Sequence, residues 1–363
     1  MKNILLLVPR LNIGGAESYV ALVARSLKLL GYNVYLASAG GALATKLQQE
    51  GIKHFFLPIR LSKYISGILL KRIIKKYNIE IIHANSEAAG IVAVKTRQKY
   101  NLDIPIVYTA HGVLPAKVKD IINQVDKIIA VSNFSREAAI KEGFSANKIE
   151  VVYNGVDIDK FKPHEEKRNL LRKKYNIPQD AFTMIIVSRI KNLRNKGHQH
   201  LINILSKYEV SKNWHLVVIG KGKGLGGLKQ KVKEYNLQDR VHLLGHKTDV
   251  ENYEDMADVV VLPSYFETFG LVLAEGMAME KPAVAFKVGG VPEVIEDNKT
   301  GFVVDYDNDD ELVEKLAILA KNPDLCKQMG IQARKKVAKD FANEIMIKKI
   351  IKIYKEIENI KRG

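Results

Sequence analysis

The stretch Asp258-Val259-Val260-Val261-Leu262-Pro263-Ser264-Tyr265-Phe266-Glu267-Thr268-Phe269-Gly270-Leu271-Val272-Leu273-Ala274-Glu275 decides how this chain folds. The short β-branched run before Pro263 predicts a strand buried in a parallel sheet. After Gly270 the apolar residues continue as a helix. A helix that starts on such a loop offers free N–H groups and partial positive charge, which suits a phosphate. Glu267 falls on the loop and Glu275 on the first turns of the helix. Carboxylates beside a phosphate seat accept hydrogen bonds from sugar or ribose hydroxyls. A phosphate between two polyols describes a nucleotide-sugar. Two glutamates at this spacing and nothing else would more often be solvated helix charges.

The same unit of strand, loop and helix repeats in both directions from this stretch, which predicts parallel sheets with helices on both faces. Strands are expected at 4–8, 33–38, 79–84, 104–109, 127–131 and 149–153, then at 183–188, 215–219, 241–244, 258–262, 283–286 and 302–304. The intervening helices are expected near 16–30, 66–77, 86–99 and 134–142, then near 197–208, 225–236, 270–279 and 310–321. At 363 residues the chain is long enough for two domains. The fold class is therefore α/β, two doubly wound Rossmann-like domains. The expected divisions are 1–165, 166–340 and a C-terminal helix over 341–363 that packs back on the first domain. The polar stretch 157–180 suits a linker followed by one short helix.

The hydrophobic fraction of 47% marks a globular chain. No apolar run approaches the roughly 20 residues that span a bilayer. The apolar start, Ile4 to Val8, reads as a strand because Arg10 and a glycine turn follow it without a small-residue cleavage site. The single cysteine, Cys326, cannot form an internal disulfide, which fits a reducing cytoplasm. The net charge is +17, and the densest basic run of the first half, the more basic per residue, is Lys71-Arg72-Ile73-Ile74-Lys75-Lys76. Phosphorylated ligands, anionic lipid and nucleic acid all exploit such charge. A helix carrying Lys71, Arg72, Lys75 and Lys76 with Ile68, Leu69, Ile73 and Ile74 between them suits an anionic leaflet. It reads equally well as an ordinary domain helix with its apolar side in the core, and both readings stay open.

Further motifs fall at strand ends, where doubly wound folds place ligands. Gly14-Gly15-Ala16-Glu17 opens the first helix, with Asn12 where a dinucleotide fingerprint has its first glycine. His111-Gly112 follows the strand that ends at Ala110. Ser188-Arg189 precedes Lys196-Gly197 by a loop holding Lys191 and Arg194, so a basic pair flanks a strand-to-helix turn. Gly220-Lys221-Gly222-Lys223-Gly224 lacks the Gly-Lys-Ser/Thr end of a phosphate loop and is not read as one. Asp157-Ile158-Asp159 and Asp307-Asn308-Asp309 read as structural. No spacing of zinc ligands or serine nucleophile elbow is present, and no metal site is expected.

In this order the motifs resemble the family 4 retaining glycosyltransferases of GT-B fold. The likeness also includes Ser132-Asn133-Phe134-Ser135, Asn154-Gly155-Val156-Asp157, Gly276 through Pro282 and Gly289-Gly290-Val291-Pro292-Glu293. It implies two domains facing across a cleft, the first on the acceptor side and the second holding the donor. Glu267 would contact donor-sugar hydroxyls, and His111 would stand beside the transferred sugar. Phe269, Gly270 and Leu271 would offer backbone contacts to sugar and phosphate, with Val272 also near the phosphate. Glu275 would hold the ribose. Arg189 and Lys196 would neutralise the diphosphate, which Gly14 and Gly15 approach from the first domain. Relatives commonly have a shorter loop before the Lys-Gly pair, so Lys191 and Arg194 remain alternatives to Lys196. The loop Gly245-His246-Lys247 is expected near the base.

The resemblance implies sugar transfer from a nucleotide-diphosphate sugar to an acceptor hydroxyl, with retention and without a metal or other cofactor. The acceptor would be lipid-linked or a saccharide, met in the cytoplasm or at the inner face of the cell membrane, in cell-surface polysaccharide or glycolipid synthesis. A GT-B nucleotide-sugar epimerase would share the fold and donor. A basic nucleic-acid-binding protein would explain the charge, but no nucleic-acid module is recognisable.

Overall fold

The computed structural model describes residues 2–12 and 14–362. The chain divides into two units, Met1–Gly155 with Asn343–Gly363, and Val156–Ala342. The boundaries expected at 165 and 340 therefore fall at 155 and 342.

The first unit is built on seven parallel strands: β1 (Asn3–Leu7), β2 (Asn33–Ser38), β3 (Lys53–Phe56), β4 (Ile81–Ala84), β5 (Ile106–Ala110), β6 (Lys127–Ala130) and β7 (Ile149–Val151). Their order is β3-β2-β1-β4-β5-β6-β7. Alternate side chains of β1 feed opposite faces. Leu5 and Leu7 join one core with Ile82, Ile106 and Ile128, while Ile4 and Leu6 join another with Ile81, Val107 and Ile129. A strand buried on both faces must be apolar at every position, which is why these runs stand out in the sequence. The second core is closed by the C-terminal helix Asn343–Arg362, whose Met346, Ile347, Ile350, Ile353, Tyr354 and Ile357 are buried in it. These lie on one stripe of a 3.6-residue period, with lysines opposite. Gly155 lets that helix in, because a Cβ there would lie 2.9 Å from the Asn343 Cα.

The second unit has six parallel strands: β8 (Phe182–Val187), β9 (Trp214–Ile219), β10 (Val241–Gly245), β11 (Val259–Leu262), β12 (Ala283–Phe286) and β13 (Gly301–Val304). They run in the order β10-β9-β8-β11-β12-β13. The order reverses between β1 and β4 in the first sheet and between β8 and β11 in the second. Such switch points leave a crevice at the carboxyl ends of the strands.

Two expectations need correction. The strand β3 and the helix Ala42–Gln49 were not expected. Lys53 and Phe56 are exposed on this edge strand, so it carries little of the hydrophobic signal of an inner strand. The stretch 157–180 is not a linker. Its helix Glu165–Lys174 is tied into the second unit by two arginines. Arg172 is wholly buried and donates to the carbonyls of Met256, Pro178, Gln179 and Ala181, to Thr183 Oγ1 and to Asp258 Oδ2. Arg168 reaches Asp258 Oδ1 at 2.5 Å. The short helix expected here is present, and most of the stretch is exposed; its two inward-reaching arginines, paired with Asp258, are what tie it down.

Candidate active site

In the second unit the loops after β8 and β11 meet at the switch point. The Lys196 Nζ lies 2.5 Å from Glu267 Oε1, which also accepts a hydrogen bond from Ser264 Oγ at 2.9 Å. The carboxylate is mostly shielded, with 12% side-chain exposure against 30% for the lysine. Gly197 makes this approach possible. Its φ is +79°, and a Cβ would lie 2.0 Å from the Pro263 carbonyl oxygen. The neighbouring loop is pinned by Ser188 Oγ and His198 Nε2 at 3.2 Å. Burial, then the Lys196 charge, pushes His198 down to about 4, so it stays neutral. Arg189 and the alternative cations Lys191 and Arg194 are all exposed. Of the three lysine and arginine candidates for completing the basic pair, only Lys196 is paired with Glu267.

Gly270, with φ of +89°, is the N-cap of the helix Leu271–Ala278, and no side chain caps that helix. The N–H groups of Leu271 and Val272 are thus left for an anion, while that of Leu273 donates to the Gly270 carbonyl at 2.9 Å. Phe269 turns its ring into the core, edge-on to Phe341 at 5.3 Å, so its backbone is what the loop presents. Beneath the loop, Gly290 donates its N–H to the Glu267 carbonyl at 3.1 Å. The glycines of 220–224 serve packing. A Cβ at Gly220 or Gly222 would lie 1.9 Å from the Ser188 carbonyl oxygen or 2.1 Å from that of Ile190.

Glu275 is half-buried on the same helix. Burial pushes its carboxyl up to about 7, with Lys160 pulling it down and Glu251 pushing it up. Behind it stands Glu254, wholly buried, its carboxyl raised well above the ordinary range by burial and by Glu275 and Glu251. Lys160 Nζ meets Glu251 Oε2 at 3.0 Å. No motif marks this group, because Glu254 belongs to a short, polar-looking helix, Val250–Glu254. Beyond β10, His246 keeps a buried Nε2 with no hydrogen-bond partner among the described residues.

In the first unit β1, β4 and β5 are neighbours, and their ends carry Gly14-Gly15, His83 and His111. Gly15 has open space about it, while the Glu17 carboxylate lies over Gly14. His111 sits edge-on to the Tyr19 ring, centroids 4.7 Å apart. Burial pushes His111 down to about 4, so it acts as a neutral imidazole. Tyr19 belongs to a buried chain that sequence reading missed. Tyr354 OH meets His83 Nδ1 at 2.7 Å, His83 Nε2 meets Thr109 Oγ1 at 2.6 Å, and Thr109 Oγ1 meets Tyr19 OH at 3.3 Å. His83 is pushed down to about 3 by burial and then by His111. Its partners lie 26 and 271 residues away, and no local pattern records such contacts.

Among the described residues no group of three or more His, Cys, Asp or Glu side chains is placed to hold a metal ion.

Two Rossmann-like sheets with a glycine turn at the first switch point, and Arg189 and Lys196 at the second, are the architecture of the GT-B class. Residues 13–160 match the family model described as Glycosyltransferase Family 4, and residues 167–336 match that of Glycosyl transferases group 1. The chain belongs to this glycosyltransferase family. It is 28% identical over 368 residues to the N-acetyl-alpha-D-glucosaminyl L-malate synthase of Bacillus anthracis, covering 95% of each chain. It is also similar to a glycosyltransferase from Rickettsia africae, with a TM-score of 0.87 and 28% identity over 98% of each chain. Anabaena HepE, solved in complex with UDP-glucose, has a TM-score of 0.87 at 23% identity, over 98% of this chain and 100% of that one, a likeness of fold.

Proposed function

We propose that this glycosyltransferase is retaining and metal-independent, and that it moves a sugar from a nucleoside-diphosphate sugar to a hydroxyl of a saccharide or lipid-linked acceptor. The observation that carries this reading is the Lys196–Glu267 pair at 2.5 Å, on the loop that leads to an uncapped helix N-terminus. One member suits phosphate and the other suits sugar hydroxyls, and they stand next to one another as the two parts of such a donor do.

Breaking the anomeric C–O bond builds positive character on the sugar and negative charge on the departing diphosphate. Lys196, Arg189 and the first-turn N–H groups at Leu271 and Val272 would take up that charge. One well-placed donor of this kind is worth about 3 kcal/mol in the transition state. With the leaving group stabilised by protein cations, no metal is required by charge. In the retaining step the acceptor hydroxyl attacks from the face the phosphate leaves, forming the new C–O bond while the phosphate oxygen takes the hydroxyl proton. Glu267 and the neutral His111 orient sugar hydroxyls, Glu275 holds the ribose and His246 borders the base. Gly14 and Gly15, with the space around Gly15, would admit the phosphate backbone.

Membership of the family favours transfer over the epimerase and nucleic-acid alternatives. No helix among the described residues is long and apolar enough to cross a membrane. The cytoplasm, and the anionic inner face of the membrane as a working surface, belong to the proposal, as does a place in cell-surface polysaccharide or glycolipid synthesis. The test is calorimetric titration with UDP, GDP and ADP. Arg189→Ala should weaken binding of the preferred diphosphate more than Arg194→Ala does. The reverse order would reassign the clamp. Turnover should also survive dialysis against EDTA, and a loss restored by Mn²⁺ or Mg²⁺ would refute the metal-free step.

A further inference from the structure

We propose that Tyr354, His83, Thr109 and Tyr19 are positioning residues for His111, so that the C-terminal helix holds that imidazole in place through one directional hydrogen-bond chain. This inference rests on the role proposed above for His111 and adds the residues that set its ring.

The chain joins four elements that are far apart in sequence. Tyr354 lies on the C-terminal helix, His83 on β4, Thr109 on β5 and Tyr19 on the helix Gly15–Leu29. The links are 2.7 Å from Tyr354 OH to His83 Nδ1, 2.6 Å from His83 Nε2 to Thr109 Oγ1 and 3.3 Å from Thr109 Oγ1 to Tyr19 OH. All four side chains are buried, so water does not compete for these bonds. Burial keeps His83 neutral. A neutral imidazole donates from one ring nitrogen and accepts at the other. The hydroxyls of Tyr354 and Thr109 must therefore take opposite roles, and the role of one fixes that of the other. Among the described residues none of the three hydroxyls has a further hydrogen-bond partner. No ionised group acts on the chain. The other titratable groups that do are Tyr32, on Tyr354, and His111, on His83.

The end of the chain reaches His111. The Tyr19 ring meets the His111 ring edge-on, with centroids 4.7 Å apart and planes at 75°. The alternation of the strands places the histidine on the same side as the chain. Ile81 of β4 and Val107 of β5 enter the core that Tyr354 helps to close, and His83 and Thr109 are the next residues on that face. His111 continues it one residue beyond the end of β5. Tyr19 also belongs to the helix that the Gly14-Gly15 turn opens, so the chain fastens this turn and His111 to one frame. An imidazole that orients a sugar hydroxyl works only if its ring is held to a fraction of an ångström. A tyrosine anchored at its hydroxyl end supplies such a wall. A tyrosine cut loose from Thr109 does not.

The test reads the histidine directly, by long-range ¹H–¹⁵N spectra of protein labelled at histidine. The His111 signals are those that vanish in His111→Asn. They should shift or double in Tyr354→Phe, which removes one oxygen two links away from Tyr19, and in Thr109→Val, which cuts the chain in the middle. They should stay as in the wild type in Thr109→Ser, which keeps the hydroxyl. They should also stay in Ile350→Ala, which removes packing from the same helix without touching the chain, and circular dichroism verifies that each variant is folded. Unchanged His111 signals in Tyr354→Phe, or an equal change in Ile350→Ala, would overturn the proposal. Release of diphosphate from UDP-glucose, GDP-mannose and ADP-glucose gives the second readout. For the donor that the wild type hydrolyses, kcat should fall roughly tenfold in Tyr354→Phe and Thr109→Val with KM unchanged, and Thr109→Ser should restore it. A shifted His111 with unchanged kcat would also overturn the positioning role. Failure of the donor reading is separate. It shows as no binding of UDP, GDP or ADP to the wild type, and the histidine spectra still decide whether the chain sets His111.

Discussion

Glu267 and Glu275 are two carboxylates on one motif with different environments, and their consequences separate. Glu267 is held by Lys196 and Ser264. Glu275 is raised to about 7 by burial, so near neutral pH it is divided between its two forms. Only the ionised form accepts hydrogen bonds from both ribose hydroxyls through both oxygens. Nucleotide affinity should therefore rise as pH climbs through about 7, beyond any change from the phosphate itself, and Glu275→Gln should remove that extra rise. Calorimetry at about pH 6 and pH 8 on both proteins checks it. The sign for folding is opposite. Between 4.5 and about 7 the native state keeps a proton that the unfolded chain has lost, so this group's contribution to stability is full below 4.5 and falls as pH rises through about 7. Both glutamates were legible in the sequence from their spacing around Gly270. The contact of Glu267 with Lys196 spans 71 residues, and Glu254 sits behind Glu275 without a motif, so neither was.

At the scale of elements, the helix Lys63–Lys76 divides the two readings its sequence left open. Leu70, Ile73 and Ile74 are buried in the core, and Ile68 and Leu69 are partly buried, so the apolar stripe is not free to enter a leaflet. The charged side remains. Lys71, Arg72, Lys75 and Lys76 line a groove with Ile68 and Tyr100, and Leu61, Tyr64 and Ile65 are exposed at the other end of the helix. Such a face can meet anionic lipid through charge, each cation contributing about 1 kcal/mol near the surface. Co-sedimentation should show binding to anionic but not neutral vesicles, weakened by salt and by glutamine at these four positions. Absence of binding at low salt would leave an acceptor free in solution. The strand β3 escaped sequence reading because an exposed edge needs no buried face, whereas the strands around β11 were readable because nearly every residue in them is buried.

At the scale of the molecule, the C-terminal helix completes the first unit, although its sequence lies after the second. It buries Ile350 and brings Tyr354 to His83. Ile350→Ala should cost about 2–5 kcal/mol. Tyr354→Phe, which leaves His83 Nδ1 buried without its partner, should cost about 1–3 kcal/mol. Urea denaturation monitored by circular dichroism measures both, and an unchanged midpoint in either variant would contradict the packing described. The amphipathic period of this helix was legible. The histidine it touches was not, because side-chain contacts across hundreds of residues leave no local signal.

The proposed division of labour, Lys196 for the donor diphosphate and Glu267 beside it for the sugar, can be read by titrating UDP, GDP and ADP into the wild-type protein, Lys196→Met and Glu267→Gln. One diphosphate should bind the wild type, Lys196→Met should weaken it about tenfold or more, and Glu267→Gln should leave it undiminished. Equal losses in both variants, or no diphosphate bound by the wild type, would contradict it.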